Sequence, residues 1–254
     1  MPITALERHI RLDGVFNFRD LGGYPTVDGR TTRWRTLFRA DGLDQLTDAD
    51  LETLRPLDLR TVVDLRTPGE IAERGRFPVE QYPVRFHNLS IIDQTWNNDD
   101  LLSKHDLPAE EFLYLAYMKM GRDGRTRFAA AFEVLAAAET LPAVFHCAAG
   151  KDRTGLLAAL VLGAIGVDPQ VIVDDYALTQ AIMPRFIASM TERYPERAAK
   201  MSMVPAGFLV ADPAAMARVL KEIERLHGSI RGLVHHIGVP ASTVATLEDL
   251  LLEG

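Results

Sequence analysis

The residue types best able to do chemistry lie in one run, Cys147-Ala148-Ala149-Gly150-Lys151-Asp152-Arg153-Thr154-Gly155, with His146 immediately before it. A thiolate is a strong nucleophile, and nearby donors or a helix N-terminus lower a cysteine pKa from about 8.5 to roughly 3.5–7.5. Arg153, six residues after Cys147, offers a planar fork that can grip two oxygens of a tetrahedral anion at once, which lysine cannot do. No proline lies between Ala148 and Arg153. All the backbone amides of that span are therefore free to point at one ligand, and Ala148, Ala149 and Gly150 add little bulk to block it. The Thr154 hydroxyl can donate to a sulfur anion and steady it both as nucleophile and as leaving group. Lys151 either extends the positive field toward a second phosphate or is simply solvated. The chemistry this set could do is capture of a phosphoryl-like dianion and attack on it by sulfur.

Such a run needs an element on each side to hold it. Pro142 to His146 reads as a short buried strand, and the apolar run that follows Arg153, through Leu156 to Val167, reads as a helix. Residues 148–152 are then the bend between them, facing a helix N-terminus whose free N–H groups and partial positive charge suit a dianion. Neighbours on a strand point to opposite faces, so His146 is expected to order the loop by hydrogen bonding rather than to act as a base on Cys147. An ATP-binding P-loop is excluded because Asp152 stands where that motif needs Ser or Thr after the lysine. With ordinary residue usage, His, Gly, Arg and Thr at these offsets around one cysteine coincide by chance on the order of once in 10^5.

Phosphoryl transfer to sulfur also needs an acid for the leaving oxygen and a base for water. Three aspartates compete on sequence grounds: Asp152 in the loop, Asp64 at the end of the strand expected over Thr61 to Arg66, and Asp93 at the start of a polar loop reaching Asp106. Arg66, beside Asp64, joins Ala148, Ala149, Gly150, Lys151 and Thr154 as a candidate contact to substrate.

The 254 residues, 47% hydrophobic and 25% charged, suit one globular domain. A net charge of −7 and a pI near 5.5 argue against a nucleic-acid binder. Cys147 is the only cysteine, which rules out an intrachain disulfide and a cysteine zinc cluster and favours a reducing compartment. Charges interrupt the N-terminal segment where a signal peptide needs its apolar stretch, and the longest apolar run, Gly155 to Val167, is shorter than the about 20 residues that span a bilayer. A cytoplasmic protein without stable membrane insertion is expected.

Along the chain, Trp34 to Phe38 and Tyr82 to Leu89 read as further strands. Helices are expected from the Thr47 cap to about Leu57, from Pro68 to Gly75, from Pro108 to Met120 with Gly121 as the stop, and over Arg125 to Ala138. More follow from Asp168-Pro169 to Leu178, Asp212-Pro213 to His227, Ser229 to His236, and Pro240 to Leu252. Phe18-Arg19-Asp20-Leu21-Gly22-Gly23 reads as a turn braced by an Arg19–Asp20 pair, and Asp174-Asp175 as a solvated face. Pro184, Pro195 and Pro205 suggest short, loosely tied helices over 181–210.

These segments resemble the atypical bacterial tyrosine phosphatases. The likeness is carried by Phe18 to Gly23, Val63-Asp64-Leu65-Arg66, His146-Cys147-x-x-Gly150-Lys151-Asp152-Arg153-Thr154-Gly155 and Asp175-Tyr176. The resemblance implies a phosphatase of broad specificity acting on phosphotyrosine, and in some members on phosphoserine, phosphothreonine or phosphoinositides, with no cofactor and no metal. It favours Asp152 as the acid and implies a helical lid, matching 181–210. The expected fold is a single α/β domain with a central, mostly parallel sheet flanked by helices. The rivals are a phosphate-binding interaction module that does not turn over, for which Cys147 would be dispensable, and more remotely a sulfurtransferase.

Overall fold

A computed structural model describes residues 8–93, 106–137, 139–196 and 205–254. Five short strands make the central sheet: β1 (Arg19–Asp20), β3 (Leu37–Ala40), β4 (Thr61–Asp64), β5 (Arg85–Asn88) and β6 (Ala143–His146), in the order β1-β3-β6-β4-β5. β3, β6, β4 and β5 are parallel, and β1 runs antiparallel on the edge of β3. A two-residue strand, β2 (Thr31–Thr32), pairs antiparallel with β7 (Leu252–Glu253). The parallel register sets Ala40, His146, Asp64 and Asn88 in one row. The chain therefore leaves four strands side by side at their carboxyl ends, where open α/β sheets collect ligands.

Both faces of the sheet are covered, as an all-parallel core requires. Side chains alternate with the pleat. Phe38, Ala40, Val62 and Val144 face a smaller cluster with Phe18, Leu51, Leu54, Phe77 and Tyr82. Leu37, Val63, Ala143 and Phe145 face a larger one, built with the helices α3 (Ala109–Asp123), α4 (Arg125–Ala136), α5 (Asp152–Ala164), α6 (Pro169–Ala177), α8 (Pro213–His227), α9 (Ile230–His236) and α10 (Ala241–Leu251). The smaller face carries α1 (Asp48–Leu54), and α2 (Pro68–Arg74) follows β4. Both short helices start on a capping box, Thr47 with Asp50 and Thr67 with Glu70. The α/β expectation thus holds, and most element ends fall within a residue or two of the sequence signals.

Two helix expectations fail. α3 passes through Gly121 and ends at Asp123, because a glycine with an ordinary helical backbone does not stop a helix whose hydrogen bonds continue, and the Gly124 amide still reaches the Met120 carbonyl. Pro184 does not break the segment after Leu178. It lies inside α7 (Thr179–Arg193), a single helix of 15 residues, where both Pro184 and Gln180, whose carbonyl it leaves without a donor, are exposed to solvent. Residues 197–204, the middle of the expected lid, lie outside the described residues. Among the described residues no helix is long and apolar enough to cross a membrane.

α5 and α9 cross at Gly163, where an added Cβ would lie 2.3 Å from Ile230 Cδ1. Gly163→Val is expected to lower unfolding stability by about 1–3 kcal/mol through overpacking. Gly121→Ala, whose Cβ meets nothing within 4 Å, should raise it by up to about 1 kcal/mol. Urea unfolding of the two variants beside the parent checks both.

Candidate active site

Cys147 follows the last residue of β6 and α5 begins at Asp152, so the bend spans residues 147–151, one residue earlier than the expected 148–152. What shapes the bend is the fate of its carbonyls. Ala148 O accepts from the Gly42 amide at 3.0 Å. Ala149 O accepts from Asn17 Nδ2 at 3.2 Å, and Gly150 O from both Asn17 Nδ2 at 3.2 Å and Arg39 Nη2 at 2.7 Å. In a trans peptide the next N–H points opposite to the carbonyl. Holding three carbonyls from outside therefore turns the amides of Ala149, Gly150 and Lys151 away from those partners, toward the inside of the loop. Gly150 makes this possible: its φ is +65°, and a Cβ there would sit 2.5 Å from Ala40 O and 2.7 Å from Asn17 Nδ2.

The start of α5 completes the cradle. Its first turn has no side-chain cap, as is also true of α3, α4, α7 and α10. An uncapped helix N-terminus leaves N–H groups and a partial positive charge for an anion. Cys147, only 2% exposed, lies at the foot of this cradle. Thr154 Oγ1 is buried but has no hydrogen-bond partner, so the expected donation to the sulfur is not made in this structure.

Arg153 is clamped by a residue the sequence had not singled out. Its Nη1 and Nη2 donate to Glu70 Oε2 and Oε1 at 2.6 and 2.9 Å. Burial works against the charge on each, yet the pair outweighs it, with Arg153 held above and Glu70 below their ordinary pKa ranges. Glu70 is also the third residue of α2 and caps the Thr67 amide at 2.8 Å. The only sequence signal was Thr67-x-x-Glu70, which reads as a capping box and hides the second role.

Asp152, with 21% of its side chain exposed, accepts at Oδ1 from the Tyr117 hydroxyl at 2.7 Å, and Tyr176 donates in turn to Tyr117 at 2.7 Å. Lys151 Nζ lies 3.4 Å from the same carboxylate oxygen. Lys151 is not solvated: its ammonium is buried and donates to the carbonyls of Gly207, Phe208 and Val210 at 3.3, 2.7 and 2.9 Å. Burial pushes its pKa below the usual lysine range. The remaining acid candidates sit elsewhere. Asp93 is exposed, and no described hydrogen bond ties it to the loop. Asp64 is wholly buried and saturated by Arg66, whose Nη2 donates to Oδ2 at 2.7 Å and whose amide donates to Oδ1 at 3.0 Å.

Arg66 is equally occupied. It also donates to Asp44 Oδ1 at 2.6 Å and to Gly75 O at 2.9 Å. Burial alone would raise the Asp64 pKa, but His146 and Arg66 outweigh it and hold it below the carboxylate range. His146 Nε2 lies 3.5 Å from Asp64 Oδ2, and Nδ1 is 3.3 Å from its neighbour's carbonyl at Cys147. Burial holds this imidazole below its usual pKa. Asp64, Arg66 and His146 thus form a layer under the loop, not a surface open to substrate.

A second buried network lies on the other flank and corrects two expectations. Arg19 does not pair with Asp20, whose oxygens accept the amides of Gly22 and Arg35 at 2.8 and 2.7 Å. It reaches across 156 residues to Asp175, Nε to Oδ1 at 2.9 Å. Asp175 is not solvated either: it takes Arg39 Nη1 at 2.5 Å and the Tyr24 hydroxyl at 2.8 Å as well, while Asp174 stays exposed. Desolvation is outweighed by the two guanidiniums, so Asp175 is held well below the carboxylate range. Arg19 also bonds Asn17 Oδ1, orienting the amide that holds the loop carbonyls. Asn17, Arg39 and Tyr24 carried no signal in the sequence beyond their closeness to Phe18-Arg19-Asp20 and the strand of β3.

The chain is similar to the triple specificity protein phosphatase PtpB of Mycobacterium tuberculosis, at 29% identity over 95% of this chain and 98% of that protein. It is also 35% identical to a putative tyrosine-protein phosphatase of Cupriavidus necator, over 66% of this chain and 62% of the other. Among solved structures, the catalytic core of Siw14 overlaps 78% of this chain and 98% of that one at 14% identity, with a TM-score of 0.40. The family model described as the tyrosine phosphatase family matches residues 10–253. That span takes in the cysteine loop, the Glu70 clamp and the Asp175 network together, and by it the chain belongs to the tyrosine phosphatase family.

Proposed function

We propose that this phosphatase hydrolyses phosphotyrosine in proteins, and other phosphomonoesters less selectively, through a phosphocysteine on Cys147. The observation that carries the proposal is the outward capture of the Ala148, Ala149 and Gly150 carbonyls, which turns the following amides inward around a cysteine at an uncapped helix N-terminus. A phosphoryl dianion suits that cradle. Arg153, fixed by both oxygens of Glu70, is preorganised to meet charge spreading over the phosphoryl oxygens.

In the first step the Cys147 thiolate attacks phosphorus in line with the leaving oxygen, the sulfur–phosphorus bond forms, the ester bond breaks, and Asp152 gives its proton to the departing oxygen. In the second, the Asp152 carboxylate takes a proton from water. The water oxygen attacks phosphorus, the sulfur–phosphorus bond breaks, and inorganic phosphate leaves. Among the three aspartates Asp152 is favoured because it is in the loop and partly open, whereas Asp64 is consumed by Arg66. Breadth beyond phosphotyrosine is supported by the triple specificity in the name of the M. tuberculosis relative, and the resemblance extends the proposal to phosphoserine, phosphothreonine or phosphoinositides.

The segment 181–210 is the proposed lid. α7 leaves the network at Thr179, lays Arg185 over the Phe16 ring at 5.1 Å, and ends with Arg193 donating to Gln45 Oε1 at 2.7 Å. From the other end, residues 207–210 are tied to the loop through Lys151.

Cys147→Ser is expected to abolish p-nitrophenyl phosphate turnover while keeping phosphopeptide binding; turnover near the parent's would end the covalent mechanism. Asp152→Asn should lower kcat by about 10^2–10^4, with the larger loss on phenyl phosphate, whose leaving group needs the proton more. Equal losses on both substrates would move the acid elsewhere. Asp175→Asn leaves two buried guanidiniums poorly paired and should cost about 3–5 kcal/mol of stability at neutral pH. Because the folded Asp175 pKa is depressed, its contribution is present above the unfolded aspartate pKa and is lost as pH falls through the folded one. Chemical unfolding from pH 7 down to pH 3 should therefore show the gap between parent and variant narrowing on acidification.

A further inference from the structure

Behind the active loop, on the far side of Tyr117, lies a cavity of about 460 Å3 that the chemistry above does not use. This is within the roughly 300–1,000 Å3 of small-molecule sites. Its walls are chiefly apolar, with Leu156 and Leu160 from α5 facing Ile223 from α8. Leu226 also lines it while staying half-exposed, one of three large hydrophobic side chains left that open among the described residues. Among the described residues no acidic side chain lines the cavity. The polar side chains in its wall are two arginines, two histidines and Tyr117. Arg122 is partly neutralised by Asp123 at 3.1 Å, while Arg125, at the start of α4, spends one Nη1 donor on the Arg122 carbonyl at 3.2 Å and has no ion pair among the described residues. The His227 and His236 rings stand 4.9 Å apart.

An apolar slot closed by a guanidinium and two imidazoles, with no carboxylate to answer them, is complementary to a ligand with a hydrocarbon body and an anionic head. We propose that the cavity binds a single-chain acyl carboxylate, its chain against Leu156, Leu160 and Ile223, its head group on Arg125 and the His227–His236 pair.

Occupancy would be felt at the active loop. Tyr117 is a wall of the cavity and its hydroxyl holds Asp152 Oδ1. A chain packed on Tyr117 in its present position favours that hydrogen bond. The bond keeps Oδ1 turned toward Tyr117, so bound acyl anion restrains the carboxylate from swinging to the leaving oxygen. This second statement rests on Asp152 being the acid; the binding statement does not.

Gly121 supplies a clean test, since it lines the cavity on α3 and an added Cβ there meets nothing within 4 Å. The probe is laurate, titrated calorimetrically below its micelle concentration into the full chain. Expected is one saturable site, weakened at least about tenfold in Gly121→Leu, which fills the slot. Arg125→Glu should weaken binding about tenfold, and dodecanol should bind less well than laurate. No saturable binding to the parent, or binding that Gly121→Leu leaves unchanged, overturns the site. Gly121→Leu should turn over phenyl phosphate like the parent without laurate. Saturating laurate should lower the parent's kcat on phenyl phosphate more than on p-nitrophenyl phosphate, and should leave the Gly121→Leu protein unaffected. Binding without that difference keeps the site and overturns its coupling to Asp152. A parent that binds laurate yet hydrolyses neither ester keeps the site and removes the phosphatase mechanism.

Discussion

The structure around the site depends on one guanidinium, that of Arg39. It is wholly buried on β3 and does two things at once: Nη1 meets the Asp175 carboxylate, and Nη2 holds the Gly150 carbonyl outward. A buried arginine is tolerable only if its charge is answered, and Arg39 meets that with Nη1 and Nη2 while its buried Nε has no partner. Asp175 answers it, and the price of bringing a second arginine, Arg19, into the same pocket is met by the Tyr24 hydroxyl, Asn17 and Thr179. The loop peptides inherit their orientation from that balance, so the inward turn of the loop amides is set by carbonyl partners outside the loop.

The parallel register explains why so much charge can be gathered there. β3, β6, β4 and β5 end in one row, so Asp41, Cys147, Leu65 and Leu89 all leave the sheet at one edge. Asp64 and Arg66 fill the space below Cys147 as a nearly neutral unit, with Asp44 and His146 completing it. Asp41 accepts the Phe16 and Asn17 amides, and its burial pushes its pKa up to about 6, the opposite sense to Asp175, which has two cations to hold it ionised. The two buried aspartates, one leaving β3 and one on α6, therefore shift in opposite senses because their partners differ.

α5 joins the two sides of the molecule. Its first turn faces the cradle, and its apolar residues run on into the larger core. Tyr117 and Tyr176 pack edge to face behind it, with ring centres 6.1 Å apart, and carry a hydroxyl relay forward to Asp152. The packing that buries this helix therefore also sets the position of the residue proposed to move the proton.

By itself the sequence determined the elements and the residue make-up of the loop, because both are written in short-range patterns. The apolar run before Cys147, the caps at Thr47, Thr67, Asp168, Asp212 and Ser229, and the Cys-x5-Arg-Thr spacing act over a few residues. Gly121 and Pro184 were misleading, since a helix held by its neighbours and open to solvent tolerates what an isolated one does not. What only tertiary structure decided was the partner of each buried charge. Arg19 passes over the adjacent Asp20 for Asp175, Arg153 takes Glu70 across 83 residues, and Lys151 turns to the carbonyls at 207–210. Ion pairs are chosen by distance and by loss of water in the folded chain, and sequence spacing carries no record of either.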